Sequence, residues 1–121
     1  MSDNKRPLYL WQEFYDHYVP YSLTIPEVSL HSLLLGKMRK NPTYPALLWE
    51  GYTVRNADLD KYSGCFARWL VLNGVQPGER VALILPNRPH YPICFLGTLK
   101  AGAIVVGLNP MYKKEEFLFC L

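Results

Sequence analysis

The chain has 121 residues, 50% of them hydrophobic, with 13 lysines and arginines against 10 aspartates and glutamates and a formal charge of +3. That balance excludes an intrinsically disordered chain, and the length suffices for one domain to bury a core without disulfide or metal support. The excess charge is concentrated in residues 61–121, where seven basic and three acidic side chains are dispersed with no basic run longer than Lys113 and Lys114, which excludes the basic stripe of a nucleic-acid-binding surface.

Residues 1–29 have no clear hydrophobic period but hold Tyr9, Trp11, Phe14, Tyr15, Tyr18 and Tyr21. Pro20 and Pro26 keep the end of this stretch extended. A short helix over 11–18 is compatible with the sequence, but the favoured reading is an aromatic arm laid over the domain surface. Such residues serve packing of an arm, the favoured use, or contact with a partner or a membrane.

Residues 30–121 are regular and read as one α/β unit. A helix over 30–40 carries Lys37, Arg39 and Lys40 in its last turn, a solvated end, and stops before Pro42. A strand over 46–49, a tight turn at Glu50 and Gly51, and a second strand over 53–55 predict a hairpin. Asn56 is expected to cap a helix over 57–73, with Asp58 and Asp60 in its first turn. Leu59, Tyr62, Phe66, Trp69, Leu70 and Asn73 recur on it at helical spacing, predicting the buried stripe, and Gly74 is placed for a left-handed C-terminal cap.

Gln76 to Glu79 is turn chemistry, and the apolar run 80–85 predicts a strand buried on both faces of a parallel sheet, ended by Pro86. A helix over 89–101 follows, with Pro92 expected to distort its first turn and Gly102 to stop it. A strand over 103–108 and a helix opening near Lys113 complete the series. The alternation predicts a partial parallel sheet covered by helices, with a small hairpin beside it. The last five residues, apolar and without a stop signal, imply that the sequence ends inside a helix.

Little chemistry is visible. Cys65, Cys94 and Cys120 are odd in number and far apart, so they form neither a disulfide framework nor a C-x-x-C pair and read as reduced packing thiols. No secretory signal opens the chain, and the apolar stretch 93–108, broken by Lys100 and Gly102, is too short to span a bilayer. The expected location is the cytoplasm, with peripheral membrane contact as its variant. Gly74 with Gly78, and Gly97 with Gly102, lack the strand–glycine loop–helix order of a phosphate loop. His17, His31 and His90 have no metal-ligand spacing, Ser63 lies inside a helix and not on a nucleophile elbow, and Glu115 and Glu116 beside Lys113 and Lys114 read as a solvated charge run. In an open α/β sheet ligands sit beyond the carboxyl ends of the strands. That leaves Pro86, Asn87, Arg88 and the run Asn109, Pro110, Met111, Tyr112 as the site candidates, with turn and cap chemistry as the competing use of the same residues.

Residues 74–83 (GVQPGERVAL), 85–89 (LPNRP) and 96–106 (LGTLKAGAIVV) resemble the AMP-forming acyl-CoA synthetases. The Leu-Lys-Ala-Gly motif of that family is matched by Leu99, Lys100, Ala101 and Gly102, and its Asn-Pro-x-Tyr by Asn109, Pro110, Met111 and Tyr112. Arg6 with Pro7, Tyr18 to Pro20 and Ile25 to Leu30 are similar to the opening of the long-chain fatty-acid–CoA ligase branch. The family's Thr-Tyr-x-Glu-Leu survives only as Arg55, Asn56, Ala57, Asp58 and Leu59, and Gly107 stands where many relatives have proline.

The resemblance implies the N-terminal subdomain of the adenylate-forming ligase fold. It further implies ATP, CoA and Mg2+ as cofactors of a complete enzyme that adenylates a fatty acid and transfers the acyl group to CoA. The phosphate-loop, adenine, magnesium and catalytic-lysine motifs of such enzymes lie outside these residues. No residue here is therefore assigned a catalytic, cofactor-binding or metal-binding role. The chain is expected to be inactive alone, with the rest of a ligase chain as its partner. The alternative is a stand-alone interaction module that dimerises through the arm or an open sheet edge. A variant of the ligase reading exchanges the fatty acid for an amino or aryl acid.

Overall fold

The structure, a computed structural model, describes residues 9–120, so Arg6, Pro7 and Leu121 lie outside the described residues. A single 3-10 turn, Leu10–Phe14, comes first. It starts earlier and is shorter than the helix conceived over 11–18. Around it Gln12 accepts a hydrogen bond from the Tyr9 amide (3.0 Å) and donates to the Tyr21 carbonyl (2.9 Å), while Tyr9 stacks on Trp11 at 4.4 Å. The segment ties to itself and leaves Trp11 and Phe14 exposed.

Helix α1, Leu30–Lys40, matches its expected bounds and is capped by Ser29, whose hydroxyl accepts from the Ser32 amide. Strands β1, Pro45–Trp49, and β2, Tyr52–Arg55, form the antiparallel hairpin. Both turn residues have positive φ, 43° at Glu50 and 83° at Gly51, as a two-residue hairpin loop of the I′ kind requires. Helix α2, Asn56–Leu72, starts one residue earlier than expected. Asn56 is therefore not its cap: its side-chain amide donates instead to the Asn41 carbonyl (2.7 Å), tying α2 to the end of α1.

The buried face of α2 is also shifted from expectation. Leu59, Ser63, Ala67 and Leu70 are buried, whereas Tyr62 and Trp69 lie on its exposed flank. The reason is helix α3, His90–Lys100, which packs so closely on α2 that only small residues fit at the crossing. A Cβ on Gly97 would stand 2.7 Å from the Ser63 carbonyl oxygen and 2.8 Å from the Phe66 ring. Pro92 leaves α3 undistorted, since it sits in the first turn where backbone N–H groups have no intrahelical acceptor.

Strands β3, Arg80–Ile84, and β4, Ile104–Leu108, pair in parallel across α3, completing a β-α-β unit, and α4, Lys114–Cys120, follows. Among the described residues the parallel sheet has two strands, and the hairpin is a separate sheet. The burial of β3 on both faces is not found: Val81 and Leu83 turn toward the helices, while Arg80, Ala82 and Ile84 are exposed, Ile84 by 48%, and Ile104 of β4, the register partner of Arg80, is exposed by 47%. Among the described residues two small core clusters form, one around Met38, Leu59 and Leu96 and one around Ala67, Leu70 and Ala101, with Leu83, Ala103 and Leu108 buried outside them.

Helices α2 and α3 end alike. Gly74 (φ 90°) donates to the Val71 carbonyl and Val75 to that of Leu70; Gly102 (φ 77°) donates to Leu99 and Ala103 to Thr98. Each is a complete Schellman cap. The loops beyond them meet: the Gly78 amide donates to the Gly102 carbonyl (2.9 Å), the Ile104 amide to Glu79 (2.7 Å), and Pro77 packs on Gly102. The amino end of the strand pair is thereby closed, and its carboxyl end is left open.

Candidate functional site

Strands β3 and β4 deliver both candidate runs to the open end of the sheet. There Pro86 and Asn87 face Asn109, Pro110, Met111 and Tyr112 across a cleft of about 550 Å3, floored by Gly107 and walled by Tyr91 of α3. The hydroxyl of Tyr91 lies 2.7 Å from where a Cβ of residue 107 would be, so Gly107 gives this ring its resting place against the strand. Stacking on Phe95 supports Tyr91 from behind, and Tyr112 meets Phe117 edge-on at 5.9 Å.

Arg88 is not part of this cleft. Its guanidinium lies over the Trp49 ring of the hairpin, 5.1 Å from the centroid. Asn109 also performs the turn role weighed against it: its carboxamide oxygen accepts from the Met111 amide (3.0 Å), and its carbonyl from the Tyr112 amide (3.0 Å).

Among the described residues no carboxylate, amine, guanidinium or imidazole lines the cleft, which offers two carboxamides, two phenols and apolar walls. Such a surface positions a ligand by packing and neutral hydrogen bonds. It lacks the paired acid and base or activated nucleophile of a reaction centre. It does not fit a triphosphate, which needs cationic side chains or a ring of backbone N–H donors. Among the described residues no group of three His, Cys, Asp or Glu could hold a metal ion. Cys94 is no nucleophile in waiting: burial pushes its thiol up from the ordinary value.

The clearest ionic cluster lies elsewhere, at the α2–α3 crossing. The Lys100 amine, its side chain only 12% exposed, donates to the Asp60 carbonyl (2.8 Å), the Asp60 carboxylate (2.6 Å) and the Ser63 hydroxyl (2.8 Å). Arg39, at the basic end of α1, reaches the same carboxylate at 3.4 Å. The hydrogen bond from Lys100 holds Asp60 below the ordinary carboxylate range, against a smaller opposing effect of burial. All three ammonium N–H groups are used internally, so this cluster fastens helices. Sequence reasoning placed Lys100 in the Leu-Lys-Ala-Gly motif without finding its partners; the available signal was a lysine inside an apolar run that has a helix end to satisfy.

Against this geometry the comparisons are specific. The sequence profile described as AMP-binding enzyme matches residues 36–121. The chain belongs to the AMP-binding enzyme family. It is 34% identical to the long-chain-fatty-acid–CoA ligase of Bacillus subtilis (strain 168) over 111 residues, 92% of this chain and 20% of that ligase. The chain thus spans about a fifth of the length of that curated relative.

In solved structures, the N-terminal subdomain of NpsA from Klebsiella oxytoca, in complex with 3-hydroxyanthranilyl-AMSN, superposes with a TM-score of 0.74 over 76% of this chain and 24% of that one, at 21% identity. Apo MatB from Rhodopseudomonas palustris gives 0.69 over 74% of this chain and 18% of MatB, at 28% identity. The fold matches part of the N-terminal subdomain of the adenylate-forming ligases, the fold class that the resemblance implied. Ligases of the AMP-binding family use ATP and CoA. No helix among the described residues is long and apolar enough to cross a membrane.

Proposed function

We propose that this chain is the N-terminal portion of an ATP-dependent fatty-acid–CoA ligase. Such an enzyme joins a fatty-acid carboxylate to AMP with release of pyrophosphate and then transfers the acyl group to the CoA thiol. The observation that carries the proposal is the likeness to a long-chain-fatty-acid–CoA ligase across 92% of the chain, with the Leu99–Gly102 and Asn109–Tyr112 motifs set on one β-α-β unit. In this reading the described residues contribute scaffold and one neutral wall of a larger cleft. ATP, Mg2+ and CoA are held by other parts of the enzyme, and none binds this chain tightly alone. The location is cytoplasmic, with the aromatic arm available for peripheral contact with a membrane.

The test is fatty-acid-dependent ATP–pyrophosphate exchange. The 121-residue chain is expected to stay at background, and a full-length ligase carrying it as its first segment to turn over with fatty acids. Exchange by the isolated chain would overturn the scaffold role, and activity of the full-length enzyme on amino or aryl acids alone would overturn the substrate class.

The exposed sheet face at Ile84 and Ile104 favours a second reading, an interaction module that self-associates. Sedimentation of the chain at rising concentration separates the two: a persistent monomer argues against association.

A further inference from the structure

Helix α2 buries Leu59, Ser63, Ala67 and Leu70 and leaves Tyr62, Cys65, Trp69 and Leu72 exposed in one line along the opposite face. Steps of three and four residues between apolar side chains make the seam of a helix pair. The seam is two-sided. At the helical repeat, Asp58, Tyr62 and Trp69 fall on one flank of Cys65, and Lys61 and Arg68 on the other. Among the described residues neither of these cations is paired with a carboxylate. Trp69 is held in place: its ring stacks on Phe66 at 5.9 Å, and Phe66 is wedged against Gly97 of α3. An exposed aromatic fixed in this way is the kind of anchor on which interfaces concentrate their energy.

We propose that this face of α2 pairs with the same face of a second copy of the chain, the two helices running parallel about a two-fold axis beside Cys65. A two-fold along the helices sets each flank against the opposite flank. Lys61 then meets the partner's Asp58 and the partner's Tyr62, and Arg68 meets the partner's Trp69, so each cation gains an opposite charge or an aromatic face. An antiparallel pairing would instead oppose Lys61 to the partner's Arg68, a like-charge contact. A second copy is the fitting occupant because the helix carries both halves of the match. One helix face buries less than the roughly 800 Å2 per partner of a stable interface, so the pairing is weak and concentration-dependent. The surface is distinct from the sheet face at Ile84 and Ile104, and the pairing stands or falls independently of the ligase reading.

The test is cross-linking of the 121-residue chain by a short bismaleimide. Cys120→Ser removes the other exposed thiol, Cys94 is half-buried, and Ile84→Lys silences the sheet face. Dimer linked through Cys65 is expected in a yield that rises with concentration and stands at least fivefold above a collision control, in which Cys65→Ser is combined with Leu48→Cys on the exposed hairpin. Trp69→Lys and Arg68→Glu, both at exposed positions, are each expected to lower the yield about tenfold while leaving the melting temperature in place, since every dimer loses two symmetric cation–π contacts. Should Trp69→Lys fail to fold, Arg68→Glu carries the test alone. A yield no higher than the collision control, an undiminished yield in a folded Trp69→Lys chain, or a higher yield in Arg68→Glu, the signature of antiparallel pairing, would each overturn the proposal.

Discussion

Gly97 and Gly64 both lie inside helices, yet alanine is expected to act on them with opposite sign. At Gly97 the new methyl would meet the Ser63 carbonyl at 2.7 Å, so α2 and α3 must part, at a cost of about 1–3 kcal/mol. At Gly64 the nearest atom is the Lys100 amine at 4.0 Å, and removing glycine's backbone entropy should stabilise by about 0.5–1 kcal/mol. Chemical denaturation of the two variants measures both. At the same crossing, Lys100→Met removes charged hydrogen bonds and is expected to cost about 1.5–3 kcal/mol in the same assay. The carboxyl of Asp60 ionises more readily in the folded chain than in the unfolded one, because Lys100 donates to its charged form. Its contribution is therefore complete above the ordinary aspartate value of 3.8 and is lost as pH falls through the lower folded value. Thermal melts from pH 6 downward should show Asp60→Asn with a shallower acid decline than the parent chain.

At the scale of elements, the turn and the caps set the boundaries. Glu50 holds φ 43° in the hairpin turn, a conformation that asparagine adopts with less strain, so Glu50→Asn is expected to raise stability by a few tenths of a kcal/mol to about 1 kcal/mol. Gly74→Ala and Gly102→Ala both oppose a left-handed backbone, but only Gly102 also faces Pro77 at 3.3 Å, so melts should rank Gly102→Ala as the more damaging. Most helices and strands were legible in the sequence because Gly, Pro and apolar period punctuate them locally. What was not legible depended on distant partners. The buried stripe of α2 moved toward Ser63 and Ala67 because α3 approaches there, a fact carried by Gly97, which lies far off in sequence. Asn56 looked like a cap by type, but the nearby Asn41 carbonyl claimed its side chain. At the candidate site the strand-end rule correctly joined Asn87 to the run 109–112, and failed for Arg88, whose partner Trp49 lies on the hairpin.

At the largest scale, two small core clusters and a sheet with one bare face among the described residues make a packing that is one-sided. Ile84→Lys puts a charge on that face without touching either cluster, and is expected to lower any concentration-dependent sedimentation while leaving the melting temperature within a few degrees. The closed amino end of the strand pair bears on how the chain can be handled. Pro77, Gly78 and Gly102 knit two loops into a knot of backbone hydrogen bonds, so a fluorophore or fusion joint introduced there would unfasten β3 from β4. The Glu50–Gly51 tip hangs from the hairpin ladder alone. An epitope spliced in at that tip should be displayed without disturbing the fold, making it the natural attachment point for labels and affinity handles.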